Sequence, residues 1–325
     1  MIKPIPLIAL ASALLLSLAL IFCSQAAVTI AAPRSVKWGA EFNSHWQDGQ
    51  AEIAAYDLSI KRYDEVRSGS AVTIFVTEDF SNSSQTKADH GKHPASDVFS
   101  VMKLNLVQDF PTGIYDYNLM TSSFVALSER GSRPAGSLAK VSFSCQEWCG
   151  HVYQELFFGQ DKVSQQKHSY FDGENAPASE LKSNSKGLSE DSLLHWARGM
   201  AGPELSSGQS LRVPFLPSLQ SARLNHKALS WTTAELSVAA ASEKLQVPAG
   251  EFEVIKRTAK VADGTLMSYW VEKAFPHQVI RWSSSKGVDA QLIGSKRMKY
   301  WGLHSNGHEA ILKDIGLKSR SKRQT

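Results

Sequence analysis

Hydrophobic and polar positions alternate along most of the chain, and alternation is the signature of strands with one buried face. Residues 51–59 (AEIAAYDLS) and 71–78 (AVTIFVTE) form the first such pair, separated by KRYDEVRSG, which reads as a polar hairpin connection. Residues 99–109 and 114–127 are longer runs flanking FPTG. There Pro111 fixes φ and Gly113 frees it, so the chain turns. Residues 138–147 and 151–158 continue the series. Further strands are expected at 228–240, 252–261, 266–273, 278–284 and 289–301, punctuated by PAGE, ADG, FPH and SKG. Spacing of this kind predicts an antiparallel meander able to curl towards a barrel.

The pattern breaks in two places. Residues 161–187 are polar and irregular, rich in Ser, Lys, Asn and Gly, and read as a linker. SEDSLLHWARGM then changes to helical spacing. Ser189 is the N-cap, Glu190 and Asp191 occupy the first turn, and Gly199 closes the helix. VPFLPSLQ, with two prolines, reads as an extended connection. The expected fold is therefore mainly β: antiparallel curved sheets or half-open barrels, one large or two, with one short helix near 189–200.

The first residues alter the setting. Lys3 precedes an almost unbroken apolar run over residues 7–22, and Ser24 and Ala26 supply the small residues of a cleavage site. Residues 1–26 therefore read as a signal peptide, and the expected location is the periplasm or outer-membrane periphery. Leu20-Ile21-Phe22-Cys23 has the outline of a lipoprotein cleavage box, which makes Cys23 a candidate for lipidation, although Phe22 stands where such a box has a small residue. The remaining organisation is a leading arm (27–49), an N-terminal β block (50–160), the linker (161–187), a helix with a C-terminal β meander (188–315) and a basic tail (316–325).

Charge adds little. With 35 basic and 31 acidic side chains the formal net charge is +4, and the excess sits in SKRMK and the tail KSRSKRQT. Such a tail reads as a solvated terminus, with membrane contact only through it or through lipidation, and no nucleic-acid partner is expected in an exported chain.

Candidate chemistry centres on SFSCQEWCGHVY. In a continuous strand, Cys145, Glu147, Cys149, His151, Tyr153 and Glu155 would share a face. Cys149 could then meet His151, with Glu147 orienting the imidazole, as a cysteine nucleophile requires. Cys145 and Cys149 would lie about 13 Å apart in that strand, too far for a disulfide without a turn. Tyr115 and Tyr117 share a face and are candidates to line a ligand groove, against the reading as cross-strand packing. DHGKHPASD (89–97) contains two histidines and two aspartates but too few fixed ligands for a metal, and none is expected. EDSLLHW is similar to the GDSL block of some lipases, with Glu190 in place of the glycine. No P-loop, Rossmann glycine pattern, G-x-S-x-G or H-E-x-x-H is present, and no cofactor is expected.

Two blocks carry resemblances. LQVPAGEFEVIKRT with YWVEKAFPHQVIRW resembles exported bacterial curved-sheet proteins, related in shape to lipoprotein-localisation factors, which carry acyl chains. DGQAEIAAYDL, VTIFVTEDF, KLNLVQDFPTGIYDYNLMTSSF and SCQEWCGHVYQEL together resemble an uncharacterised family of exported or lipoprotein-like bacterial proteins, sometimes labelled "septum formation inhibitor Maf". The SxSPRR-type motif of the Maf pyrophosphatases is missing, so that activity is not implied. The resemblances imply a cell-envelope protein that binds or shields an apolar, lipid-like ligand or an envelope partner without catalysis. A hydrolase or transferase using Cys149 and His151 is the alternative, and a structural scaffold is a third.

Overall fold

The computed structural model describes residues 38–318. After a short helix α1 (Ala40–Trp46), eight strands follow: β1 (Ala51–Arg62), β2 (Glu65–Ser81), β3 (Val98–Thr112), β4 (Tyr115–Ala126), β5 (Leu138–Glu147), β6 (Gly150–Phe158), β7 (Lys162–Ser169) and β8 (Ala176–Lys182). A short β9 (Leu188–Ser189) leads through a 3-10 turn (Glu190–Ser192) into helix α2 (Leu193–Ala197). Strand β10 (Ser210–Leu216) and helix α3 (Leu219–Leu224) come next. The chain finishes with β11 (Thr232–Val238), β12 (Glu243–Val247), β13 (Gly250–Val261), β14 (Leu266–Glu272), β15 (Val279–Ser284) and β16 (Val288–Met298), and a 3-10 helix at His308–Ile315.

All sixteen strands among the described residues belong to one curved, open sheet. Its order is β8-β7-β6-β5-β4-β3-β2-β1-β16-β15-β14-β13-β11-β10-β9, with β12 beside β13. Neighbours are antiparallel except β9 and β10, which run parallel. The two blocks read from the sequence therefore share one sheet, joined where β1 pairs with β16 from Ala51↔Met298 to Ile60↔Val288. The β1–β2 connection is tighter than the sequence suggests: Tyr63 and Asp64 both adopt positive φ, 55° and 60°, as a two-residue type I′ hairpin requires.

Alternation decides which side chains meet the core. On β3 and β4, Met102, Leu104, Phe110, Tyr117, Leu119 and Val125 point to the inner side, where α2 and α3 lie and the main core forms. Strand β1 departs from alternation: its first six residues are all buried. The reason is that both faces are covered. Ile315 packs with Ile53 and Ala55 on the outer side, while Ala54 and Tyr56 join the main core. A Cβ at Gly294 would meet the Ile315 backbone at 2.8 Å, so glycine permits this approach.

Two expectations need correction, and the leading arm carries structure that its sequence left unassigned. The linker over 161–187 instead carries β7 and β8, an edge hairpin. Its outer strand is largely exposed, so burial imposed no alternation to read. The expected extended stretch VPFLPSLQ bends into α3, with Ser218 Oγ accepting from Ser221 N. Within the leading arm, residues 40–46 are helical. The expected signal peptide and Cys23 lie outside the described residues, as does most of the basic tail.

Candidate functional site

The segment between β9 and β11 crosses the inner side of the sheet and fills part of it. Ser189 caps the turn that starts α2, its Oγ accepting from Asp191 N at 3.3 Å. This positions Leu193, Leu194 and Trp196 in the core, and Gly199 (φ +74°) turns the chain away. His195 is wholly buried. Its Nε2 lies 3.2 Å from the Met102 carbonyl and therefore donates to it; Nδ1 faces Ser123 Oγ at 3.5 Å. Burial drives its pKa down to about 3, so the imidazole is neutral. Next to it, Arg198 donates two hydrogen bonds to Glu52, at 2.6 and 3.0 Å, with both side chains buried.

Beside this plug remains a cavity of about 700 Å³. Leu104, Leu106, Phe215, Met267, Tyr269 and Trp282 supply apolar wall, and Gln108, Thr121 and Ser123 add hydrogen-bonding groups. Volume and composition are those of a small-molecule site. At one side stand two adjacent carboxyls. Glu190 Oε2 accepts from Ser218 N at 3.0 Å and Asp191 Oδ2 from Leu219 N at 3.2 Å, so both tie down the start of α3. Burial, and then the neighbouring Glu190, push the Asp191 carboxyl up to about 8. Burial raises Glu190 as well, against the pull of the Ser218 hydrogen bonds. Tyr269 is raised by burial and by the same two carboxyls.

The lining reaches the β1–β2 turn, through Arg62, Tyr63 and Asp64, and the β15–β16 turn, through Lys286. Arg62 is held from both sides, donating to the Leu224 carbonyl and to Tyr117 Oη, each at 3.0 Å. Here the expected ligand aromatics find their place. Tyr117 is buried and stacked on Phe110, centroids 5.1 Å apart, with its hydroxyl 2.7 Å from that of Tyr63. Tyr115 donates to the Tyr63 hydroxyl at 3.3 Å and stacks on Trp148. The pair thus braces Arg62 and Tyr63, which line the cavity, and is not itself part of the lining.

The cysteine stretch folds otherwise than a continuous strand would. Strand β5 ends at Glu147 and β6 begins at Gly150, so Trp148 and Cys149 form a hairpin turn. Glu147 turns inwards, accepting from Cys149 N at 2.8 Å and from buried Arg223 at 3.4 Å. His151 pairs with Gln146 and, like it, is exposed on the outer face. The triple of Cys149, His151 and Glu147 is therefore split across the sheet. The exposed Cys149 thiol is held above its ordinary pKa by its hydrogen bond to Glu147 and that carboxylate's charge. This is the reverse of what a thiolate nucleophile needs. Cys145 is buried, with its thiol pushed up to about 11, and both thiols are free.

In the loop 89–97, Asp97 accepts from Ser81 Oγ and, at 2.8 Å, from Ser83 N, with His93 Nδ1 3.6 Å away. Among the described residues no group of three or more His, Cys, Asp or Glu side chains is arranged to hold a metal ion. None of their helices is long and apolar enough to cross a membrane.

Sequence reasoning missed the Glu52–Arg198 and Glu147–Arg223 pairs, because their members lie on distant segments. It read Glu190 and Asp191 only as first-turn acids. The adjacent acids just before an apolar helical run were the available signal, since such residues are carried into the core with the helix.

No family model matches the chain, and neither does any curated protein. The Maf label and the lipoprotein resemblance thus gain no support beyond the residues quoted for them. A crystal structure of a β-barrel-like protein of a domain of unknown function, DUF1849, from Brucella abortus is similar, at 10% sequence identity and a TM-score of 0.44, covering 77% of this chain and 98% of that one.

Proposed function

We propose that the chain is a non-enzymatic binding protein whose cavity takes an apolar molecule bearing a hydrogen-bond-donating head. The observation that carries this reading is the cavity of about 700 Å³ with an apolar wall and the Glu190–Asp191 pair at one side. An alkyl chain would lie along Leu104, Leu106 and Trp282, removing apolar surface from water. A hydroxyl or amine would donate to the two carboxyls, whereas an ionised ligand carboxylate brings no proton to donate. The expected signal peptide supports a cell-envelope setting, with a lipid-like molecule as ligand or cargo.

The test is a titration with dodecylamine, dodecanol and dodecanoate, read by tryptophan fluorescence and native mass spectrometry. The amine and the alcohol are expected to bind saturably with one-to-one adducts, and dodecanoate more weakly. Leu106→Trp, which pushes a larger ring into the cavity, is expected to weaken the binding. No saturable binding, or binding indifferent to Leu106→Trp, sinks the reading.

A further inference from the structure

The outer face of the same sheet carries a second, separate concavity of about 540 Å³ over β3 to β7. A row of polar side chains crosses it along the register Asp109↔Asn118↔Gln146↔His151, one from each of four neighbouring strands. Adjacent strands are about 4.8 Å apart, so the row presents hydrogen-bonding groups at regular intervals. Asn118 donates to Asp109. Gln146 and His151 are exposed, and their side chains have no hydrogen-bond partner among the described residues.

Two tyrosine rings flank this row. Tyr153, one pleat along β6 from His151, donates its hydroxyl to Glu155 two residues further on the same strand. The ring therefore leans along the sheet and keeps an exposed surface, 44% of its maximum. Tyr170 is 76% exposed yet fixed in place. Its backbone N–H donates to the His151 carbonyl at 3.2 Å, and its ring lies on Gly150, where an added Cβ would stand 2.5 Å from a ring carbon. An exposed aromatic ring held by packing on one side leaves its other side as a rigid platform.

We propose that this outer groove is a carbohydrate-binding site, taking a short neutral oligosaccharide. A sugar ring offers hydroxyls that both donate and accept, and an apolar C–H face. The amides of Asn118 and Gln146 and the imidazole of His151 both donate and accept, and Asp109 accepts. Tyr153 and Tyr170 offer apolar ring surface with a polar edge, which suits the C–H face of a pyranose. The structure argues against the other common occupants. A peptide adding as a strand needs a free sheet edge, and β3 to β6 are paired on both sides. An anion would meet Asp109. This site shares no role with the inner cavity, so either proposal can fail without the other.

The experiment titrates the protein with maltotriose, cellotriose and triacetylchitotriose, following amide and tyrosine resonances by NMR. At least one sugar is expected to bind saturably and to shift signals from β3 to β7. Tyr170→Ala and Gln146→Ala are expected to weaken that binding about tenfold each. Both side chains are exposed, so the variants should fold, with unfolding midpoints as control; Leu106→Trp should bind the sugar as wild type does. The proposal is overturned if none of the three sugars binds, or if Tyr170→Ala and Gln146→Ala bind as tightly as wild type. It is equally overturned if casein-derived peptides, and not the sugars, shift these resonances.

Discussion

Glu52 and Arg198 meet in the core as a bidentate ion pair, with N–O distances of 2.6 and 3.0 Å. The guanidinium also lies 4.4 Å from the Phe75 ring centroid and 5.0 Å from that of Trp46. One carboxylate on β1 thereby fixes the residue that follows α2, and ties the plug to the sheet.

Removing one partner leaves the other charged and buried. Arg198→Met is therefore expected to lose about 3–5 kcal/mol of stability in urea unfolding. Glu52→Leu combined with Arg198→Met should recover much of that loss, because no charge is stranded. A double variant as unstable as the single would show that the pair positions the plug, and does more than satisfy itself.

Asp191 and His195 give the stability curve two opposing slopes. The Asp191 carboxyl is held up from 3.8 to about 8. Its contribution is complete below the unfolded value and is lost as pH rises towards and through the folded one. His195 is depressed from 6.5 to about 3, so its contribution is present above 6.5 and is lost as pH falls through that interval. The slopes oppose each other at mildly acid pH, and above 6.5 only the Asp191 decline continues. Asp191→Asn keeps an acceptor for Leu219 N without the charge. Its urea midpoint should gain on wild type steadily as pH rises towards about 8. A difference that stays constant with pH would mean that Asp191 is ionised throughout.

Thiol labelling should separate the two cysteines. Iodoacetamide near pH 7 is expected to modify Cys149 and not Cys145, and more slowly than a free cysteine, because alkylation needs the thiolate. Cys145 should react only after denaturation, without prior reduction. Fast neutral-pH labelling of Cys149 would revive the nucleophile reading.

Gly150→Ala tests how the Tyr170 ring is held. The new methyl would occupy the position of the ring, 2.5 Å from its nearest carbon. Tyr170 must then swing away, and its aromatic NMR signals should sharpen towards those of a freely rotating side chain. Unchanged Tyr170 signals would show that the ring does not depend on this contact.

The strands of the main sheet were legible because burial on one face enforces alternation, as at 138–147 and 151–158, and Ser189 announced its helix by its own capping hydrogen bond. The site was much less legible. Whether Glu147 and His151 share a face depends on whether the chain turns at Trp148 and Cys149, and that turn lacks the Asn-Gly or Asp-Gly pair that usually marks a two-residue hairpin. Tyr63 and Asp64 hide their type I′ turn in the same way. The cavity is assembled from β3, β10, β14 and β15, and no local pattern reports which distant strands will face one another.

The pairing of β1 with β16 also sets the order in which the molecule can be completed. Ala51 waits for Met298, so β1 keeps an open edge until almost all of the described chain has been made. Six consecutive residues of that strand are destined for burial, five of them apolar. Pairings of such long sequence separation form slowly, and an uncovered apolar strand invites strangers in the meantime. A growing chain of this design has most to gain from a holdase during synthesis, and a version truncated before β16 should aggregate through β1.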